Sequence, residues 1–219
     1  MWWLAIPAVL YAGKKIYDYS TQDNTISSEV NENNTHTSHI ILRQNIKKLS
    51  CKLDCDNKKI AFLGQPGSGK SSLINTLTDF KLDPQPEIGI KTDATSWSKV
   101  NPSTLVYDFG INKLVDVPGY GTSTHPEAVF QKEFPFRKFD LLVFIVSNKL
   151  SASDEIIFKS IRESNREYIV VRSLSEVLSD VDKVHIINDL TLKLNVDNVR
   201  FISNKSNEGI SSLRNILEL

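Results

Sequence analysis

The chain has 219 residues, 40% of them hydrophobic and 24% charged, an ordinary composition for one well-buried domain with an appendage. Lys and Arg total 26, as do Asp and Glu, so the formal net charge is zero and bulk electrostatics gives no reason to expect DNA or RNA as a partner. The two cysteines, Cys51 and Cys55, lack the further Cys or His that a zinc site needs, and read as reduced thiols.

Trp2 to Ala12 is uncharged and mostly apolar, and Lys14 and Lys15 follow at once. Residues 1–19 therefore read as a membrane anchor. The apolar run is shorter than the roughly 17–25 residues of a spanning helix, so it either tilts through the bilayer or lies in its interface. The alternative is a hydrophobic helix that packs on the domain. With cations only on the C-terminal side, the positive-inside rule places the following chain in the cytoplasm. Residues 20–38 are polar with almost nothing apolar, cannot repay the entropy of ordering, and read as a disordered tether. A domain over residues 39–219 follows. A short amphipathic helix from Ile40 to Leu49 opens it, with Leu42, Ile46 and Leu49 sharing one face and Arg43, Lys47 and Lys48 facing solvent or lipid.

Gly64-Gln65-Pro66-Gly67-Ser68-Gly69-Lys70-Ser71 then fits the phosphate-binding pattern G-x-x-x-x-G-K-[ST] at every fixed position. Glycines let backbone N–H groups curl round a β-phosphate, the lysine reaches the β/γ oxygens, and the following hydroxyl suits Mg²⁺. Lys59 to Leu63 reads as a buried strand before the loop, and Leu73, Ile74, Leu77 and Phe80 recur at helical spacing after it. The loop thus joins a strand to a helix N-terminus, which favours an anion, and a nucleotide is the expected ligand.

Asp83 to Glu87 carries two prolines and cannot continue the helix, so the segment to Thr95 is expected to be mobile. Ser96 to Asn101 and Thr104 to Phe109 read as extended, Gly110 as a turn, and Asn112 to Val117 as a returning strand, together an edge hairpin. That strand ends in Asp116-Val117-Pro118-Gly119, a carboxylate followed by a glycine whose N–H can approach a γ-phosphate. Pro126 and Glu127 suit a first helical turn, and Pro135 ends the helix. Strands at Leu141 to Ser147, Tyr168 to Val171 and Val199 to Ile202 alternate with helices marked by Ile157 and Ile161, by Val177, Val181 and Val184, and by Ile210, Leu213 and Leu217. This rhythm predicts an α/β fold: a three-layer, doubly wound, mainly parallel sheet with one antiparallel edge hairpin and ligands at the strand carboxyl ends.

On these motifs the chain, over roughly Lys58 to Leu219, resembles a P-loop GTPase of the Era-like group, and most of all the immunity-related, interferon-inducible type and its bacterial relatives. Gly64 to Ser72 is similar to the first GTPase motif and Asp116-Val117-Pro118-Gly119 to the third, where a Walker-type ATPase usually sets a second acid beside the aspartate. The resemblance implies GTP or GDP with Mg²⁺ held at Ser71, Asp116 and a threonine ahead of the second strand, for which Thr95 fits best and Thr92 is the other candidate. It implies a base reader after the strand that follows Asn148-Lys149. That position is Ser173-Leu174-Ser175-Glu176, with Glu176 accepting from guanine and Leu174 in place of the lysine stem. Ser203-Asn204-Lys205 resembles the fifth motif, whose backbone N–H meets the guanine oxygen.

Lys70, Ser71, Thr95 and Gly119 are thus the expected catalytic set for phosphoryl transfer to water. After Gly119 stands Tyr120, where many relatives carry a glutamine that orients water. The resemblance implies help from elsewhere, such as a homodimer across the nucleotide face. Gly67 stands where the potassium-dependent members carry asparagine. His125, Thr122 and Thr124 are local candidates, with an exposed loop role favoured for each. The expected function is a slow, membrane-tethered GTPase switch whose mobile segments, Ile88 to Thr95 and Tyr120 to Pro135, contact an effector protein. A nucleotide-binding scaffold without turnover and a P-loop ATPase are the alternatives.

Overall fold

Strand β1 (Lys58–Gly64) is the axis of the sheet. It pairs in parallel with β3 (Asn112–Asp116) on one side and β4 (Leu141–Val146) on the other. Strand β5 (Glu167–Arg172) adds to β4 and β6 (Val199–Phe201) to β5, both parallel, while β2 (Tyr107–Phe109) closes the far edge antiparallel to β3. The order is β2-β3-β1-β4-β5-β6, so the chain reverses direction of winding between β3 and β4, beside the carboxyl end of β1. That reversal opens the crevice in which doubly wound folds bind ligands. The structure is a computed structural model that describes residues 35–89, 95–102 and 104–219. Trp2 to Ala12, Lys14, Lys15, most of the polar tether, and Thr92 lie outside the described residues.

Period-two alternation along β1 divides the core. Ile60 and Phe62 pack on one face with Leu73, Ile74 and Leu77 of α2 (Lys70–Leu77) and Ile210, Leu213 and Leu217 of α6 (Ile210–Leu217). Ala61 and Leu63 face the other way, against Leu42, Ile46 and Leu49 of α1 (residues 35–52) and helices α3 (Glu127–Glu133), α4 (Ala152–Glu163) and α5 (Asp180–Leu194). Two cores on one sheet give the expected three layers. Each side chain fully buried in them contributes about 1.5–3 kcal/mol, which is why six short strands and short helices suffice. From His39 to Leu219 the chain is one compact unit.

Local chemistry sets the helix limits. Ser151 with Asp154, and Ser179 with Asp182, form reciprocal capping boxes that start α4 and α5. Pro126 caps α3, and the chain beyond it turns extended at Phe134, just before Pro135.

Four expectations are corrected. The polar stretch read as a tether to Ser38 is helical from residue 35. Ser96 to Asn101 forms no strand, because the carbonyls of Trp97 and Lys99 accept from the Asn45 side chain (2.8 and 3.0 Å) instead of a neighbouring strand. Phe80 leaves α2: Thr78 Oγ1 bonds back to the Ile74 carbonyl, and Asp79 and Phe80 take φ of 51° and 57°. Val177, Val181 and Val184 do not bury; they are exposed, and α5 packs through Leu190 and Leu194 near its end. Among the described residues no helix is long and apolar enough to cross a membrane.

Candidate nucleotide site

The carboxyl end of β1 runs straight into the loop Gly64–Ser71, and α2 begins at Lys70 behind a Gly69 with φ of 90°. Only a residue without a Cβ holds that conformation cheaply, and it aims the first free N–H groups of α2 into the loop. Lys70 is buried, and its ammonium donates to the carbonyls of Gly64 (3.1 Å) and Gln65 (2.9 Å), so it is poised over the hollow a phosphate would fill. Ser72, half-buried, continues the first turn of α2. Ser68 is buried with its hydroxyl unpartnered, pointing to a group not supplied by the protein. Gln65 lies on the far wall, where Nε2 donates to Ser151 Oγ at 2.8 Å beside a cavity of about 260 Å³.

The third motif closes on the loop from β3. A Cβ at Gly119 would overlap the Pro66 ring and amide nitrogen, so the glycine permits that contact. Three oxygens converge behind it. Ser71 Oγ donates to Asp116 Oδ2 at 2.6 Å, Thr95 Oγ1 donates to the same oxygen at 2.8 Å, and the two hydroxyls lie 3.4 Å apart. Thr95 and Asp116 are both buried. One carboxylate and two hydroxyls, all hard oxygen donors, fit Mg²⁺, which takes few protein ligands and completes its shell with phosphate and water. The structure thus brings together Ser71, Thr95 and Asp116 from three separate elements.

Across the crevice, the exit of β5 holds Ser173 by three bonds. Its hydroxyl donates to the Ser68 carbonyl (2.9 Å), its N–H to Val146, and its carbonyl accepts from the buried Arg172 guanidinium (2.6 Å). Leu174 follows with φ of 59° and a half-exposed side chain. Ser175 is buried and bonded to Glu208 (2.7 Å), and Glu176 is exposed at the rim. Hydrogen bonds from Ser203 and from its own N–H, aided by the charge of Lys205, hold the Glu176 carboxyl below its ordinary range. Ser203 is fully buried and also accepts from the N–H groups of Lys205 (3.1 Å) and Ser206 (3.0 Å), which uses both its lone pairs and its proton. Asn204 lies beside the loop, its Nδ2 3.6 Å from where a Cβ of Gly69 would stand, with Oδ1 buried and unpartnered. The Lys205 side chain points to solvent. Ser173, Glu176, Ser203 and Asn204 therefore form one group next to the loop. Asn148 and Lys149 leave β4 on the other side of Pro66, lining the cavity with Gln65, and are exposed.

Tyr120 turns away from this site. It is fully buried, its hydroxyl donates to Asp154 Oδ1 at 2.7 Å, and burial together with that carboxylate pushes the phenol well above its ordinary range. His125 is not an exposed loop residue. It is buried, and its Nε2 accepts from the Trp97 N–H at 3.1 Å. Thr122 and Thr124 serve it, one accepting from its N–H and the other 3.0 Å from Nδ1. Asn45, Trp97 and Asp154 carry no motif, although the S-x-x-D spacing of Ser151 and Asp154 marks a helix start.

A phosphate loop between a central strand and a helix, a strand-end Asp116 with Gly119 against that loop, and this sheet order define a P-loop GTPase. The chain belongs to the interferon-inducible GTPase (IIGP) family, whose model matches residues 20–194. It is similar to the probable GTP-binding protein EngB of Mycoplasma pneumoniae, 26% identical over 182 residues that cover 78% of this chain and 89% of that protein. Interferon-inducible GTPase 1 of Mus musculus is 27% identical over 136 residues, 60% of this chain but 32% of that protein. GTPase Der of Buchnera aphidicola is 30% identical over 178 residues, 76% of this chain and 37% of that protein. The chain thus spans about a third of the last two. Among solved structures, a probable EngB (TM-score 0.53, 19% identity, 73% of this chain and 97% of that one) shares the fold. So does Era of Aquifex aeolicus (TM-score 0.54, 18% identity, 73% and 56%).

Proposed function

We propose that this protein is a Mg²⁺-dependent GTP hydrolase of low intrinsic rate that works as a membrane-tethered nucleotide switch. The observation that carries the reading is the meeting of Ser71, Thr95 and Asp116, since it brings the first turn of α2, the residue two before Trp97 and the strand end of β3 to one point beside the loop Gly64–Ser71. The backbone N–H groups of Gly67 to Ser71 and the Lys70 ammonium bind the β- and γ-phosphates. Ser71, Thr95 and Asp116 hold the metal, which supplies charge neutralisation on the phosphate oxygens. Glu176 accepts from the guanine N1–H and exocyclic amine, Asn204 offers its backbone N–H to the guanine carbonyl oxygen, and Leu174 covers the base.

Low turnover follows from Tyr120, whose hydroxyl is committed to Asp154 and cannot orient an attacking water. Trp2 to Ala12, with Lys14 and Lys15, supports attachment to the cytoplasmic face of a membrane. The test is binding and turnover of GTP and ATP with and without Mg²⁺, for wild type and Lys70→Ala. GTP should bind and turn over slowly only with Mg²⁺, and the variant should lose about 100-fold or more in affinity, the size of two charged hydrogen bonds. Equal use of ATP, or unchanged binding by the variant, overturns the reading.

A further inference from the structure

Trp97 stands two residues beyond Thr95 and is fully buried, its ring 6.4 Å from both Phe130 and Phe134. Its peptide groups are gripped from two sides by elements distant in sequence. The N–H donates to His125 Nε2 (3.1 Å), and the carbonyl accepts from Asn45 Nδ2 (2.8 Å), which also donates to the Lys99 carbonyl (3.0 Å). Asn45 is buried on α1, between the core residues Leu42, Ile46 and Leu49. His125 is itself fixed. Its carbonyl accepts from the N–H groups of Gly121 (2.9 Å) and Thr122 (3.3 Å), and Gly121 lies two residues past Gly119. The segment that bears Thr95 and the segment that follows Gly119 are therefore bolted together at Trp97, with α1 as the third part.

We infer that Asn45 and His125 are positioning residues for Mg²⁺-dependent nucleotide binding, acting through Trp97 on Thr95. The inference rests on the reading of Thr95 as a metal-holding threonine. Two residues of chain reach at most about 7 Å, so a fixed Trp97 confines Thr95 to a small volume that includes its place beside Asp116. Closing Thr95 on the metal then orders few additional bonds, and most of the entropy is spent in folding rather than in binding. A second consequence follows: α1, which belongs to none of the nucleotide motifs, takes part in holding Thr95, because Asn45 grips the Trp97 carbonyl two residues beyond it. Neither role is served by packing alone. Buried Asn45 spends both amide protons on backbone carbonyls of this one segment, where an apolar side chain of the same size would fill the space as well.

The test uses the full-length chain and reads the affinity of GDP and of a non-hydrolysable GTP analogue in Mg²⁺ and in EDTA, with urea midpoints for each variant. Asn45→Asp keeps the volume and removes both donors, and His125→Ala removes the acceptor. Each should cut the Mg²⁺-dependent gain in analogue affinity by about ten-fold, the size of one buried hydrogen bond, with EDTA affinity within about two-fold of wild type. His125→Gln, which still presents an acceptor, should recover most of the gain. Thr95→Ala is the control for the underlying assignment and should abolish the gain. A Mg²⁺ response that survives Thr95→Ala sinks the threonine assignment. If Thr95→Ala abolishes the response while Asn45→Asp and His125→Ala lower only the urea midpoint, the two residues are packing elements and the inference is overturned. It is equally overturned if His125→Gln behaves as His125→Ala does.

Discussion

The Tyr120 hydroxyl donates to Asp154 Oδ1 at 2.7 Å, while Asp154 Oδ2 accepts from the Ser151 N–H and hydroxyl, both at 2.9 Å. One carboxylate therefore closes the cap of α4 and anchors the residue that follows Gly119. Ser151 Oγ in turn accepts from Gln65, so the bonds run from the phosphate loop to Tyr120, the residue after Gly119. Tyr120→Phe should cost about 1–3 kcal/mol of stability, because the buried Asp154 oxygen loses its donor. Chemical denaturation measures it, and a loss below a few tenths of a kcal/mol would count against the network.

The same tyrosine predicts a pH dependence. Burial and the Asp154 charge raise the Tyr120 phenol, and burial with the charges of Asp116 and Glu87 raises that of Tyr107. For a group whose folded value is raised, the stabilisation is complete below the unfolded value and is lost as pH climbs above it. The window therefore opens at about pH 10, where an unfolded tyrosine ionises and these two cannot without losing their sites. Wild-type stability should fall more steeply than that of Tyr120→Phe above pH 10, and the two slopes should match below it. Parallel curves throughout would contradict the burial of the phenol.

For the base site, Glu176→Ala should weaken GTP and GDP by about 1.5–3 kcal/mol, the range for hydrogen bonds to a charged group, and leave ATP almost unchanged. Asn148→Ala should do much less, because Asn148 is exposed beside Gln65 and Pro66 and, among the described residues, its side chain bonds only to its neighbour Ser147. Ser203→Ala removes the hydroxyl that holds the Glu176 carboxyl, and should reproduce part of the Glu176→Ala loss. Titration with fluorescent guanine and adenine nucleotides separates the three. A damaging Asn148→Ala with a silent Glu176→Ala would move the base site to the β4 exit.

The elements legible in the sequence were those set by local rules. The spacing from Gly64 to Ser71, the buried runs of β1 and β4, and the cap residues each carry their own signal within a few positions. The mainly parallel, doubly wound sheet followed from the alternation of strand and helix, while its strand order came only with the structure. What escaped was decided at long range. Asn45 reaches 52 residues along the chain to Trp97, and no pattern within α1 distinguishes it from a polar residue on a solvated face. His125 looked like a loop histidine because its neighbours are Thr and Pro, and only the fold carries it under Trp97. The failure at Ser96 to Asn101 has the same root: Trp97 is its one buried apolar side chain and Val100 is exposed, so a single anchor packed against Phe130 and Phe134 fixes an irregular chain where a strand was expected. Val181 and Val184 misled in the opposite sense, since helical spacing of valines implies a buried face and theirs is open.

Turnover should report on the missing water-orienting group. At high dilution the expected rate is on the order of 10⁻³ s⁻¹ or lower, because the site offers Lys70 and backbone donors but no amide after Gly119. If a second copy supplies the group across the nucleotide face, specific activity should rise with protein concentration, and a group supplied from outside can add about 10³–10⁵-fold. A rate far above the dilute expectation that is independent of concentration would instead require an acting residue within this chain, and would remove the case for a partner.

Attachment to membranes can be decided by comparing two energies. Trp2, Trp3, Leu4, Ile6, Val9 and Leu10 each offer about 1.5–3 kcal/mol when their side chains leave water completely. Lys14 and Lys15 add about 1 kcal/mol each near an anionic surface, and salt screens that part. Even if the apolar side chains bury only in part, their sum exceeds the electrostatic contribution, so high salt should not release the protein. Full-length protein should pellet with membranes and stay there through a high-salt wash, whereas a chain beginning at His39 should remain in the supernatant. The exposed cations Lys47, Lys48 and Lys52 on α1 are present in both chains, so a truncated chain that still pellets at low salt and washes off at high salt would locate the attachment on α1. Full-length protein that is soluble throughout would show that Trp2 to Ala12 is buried against protein.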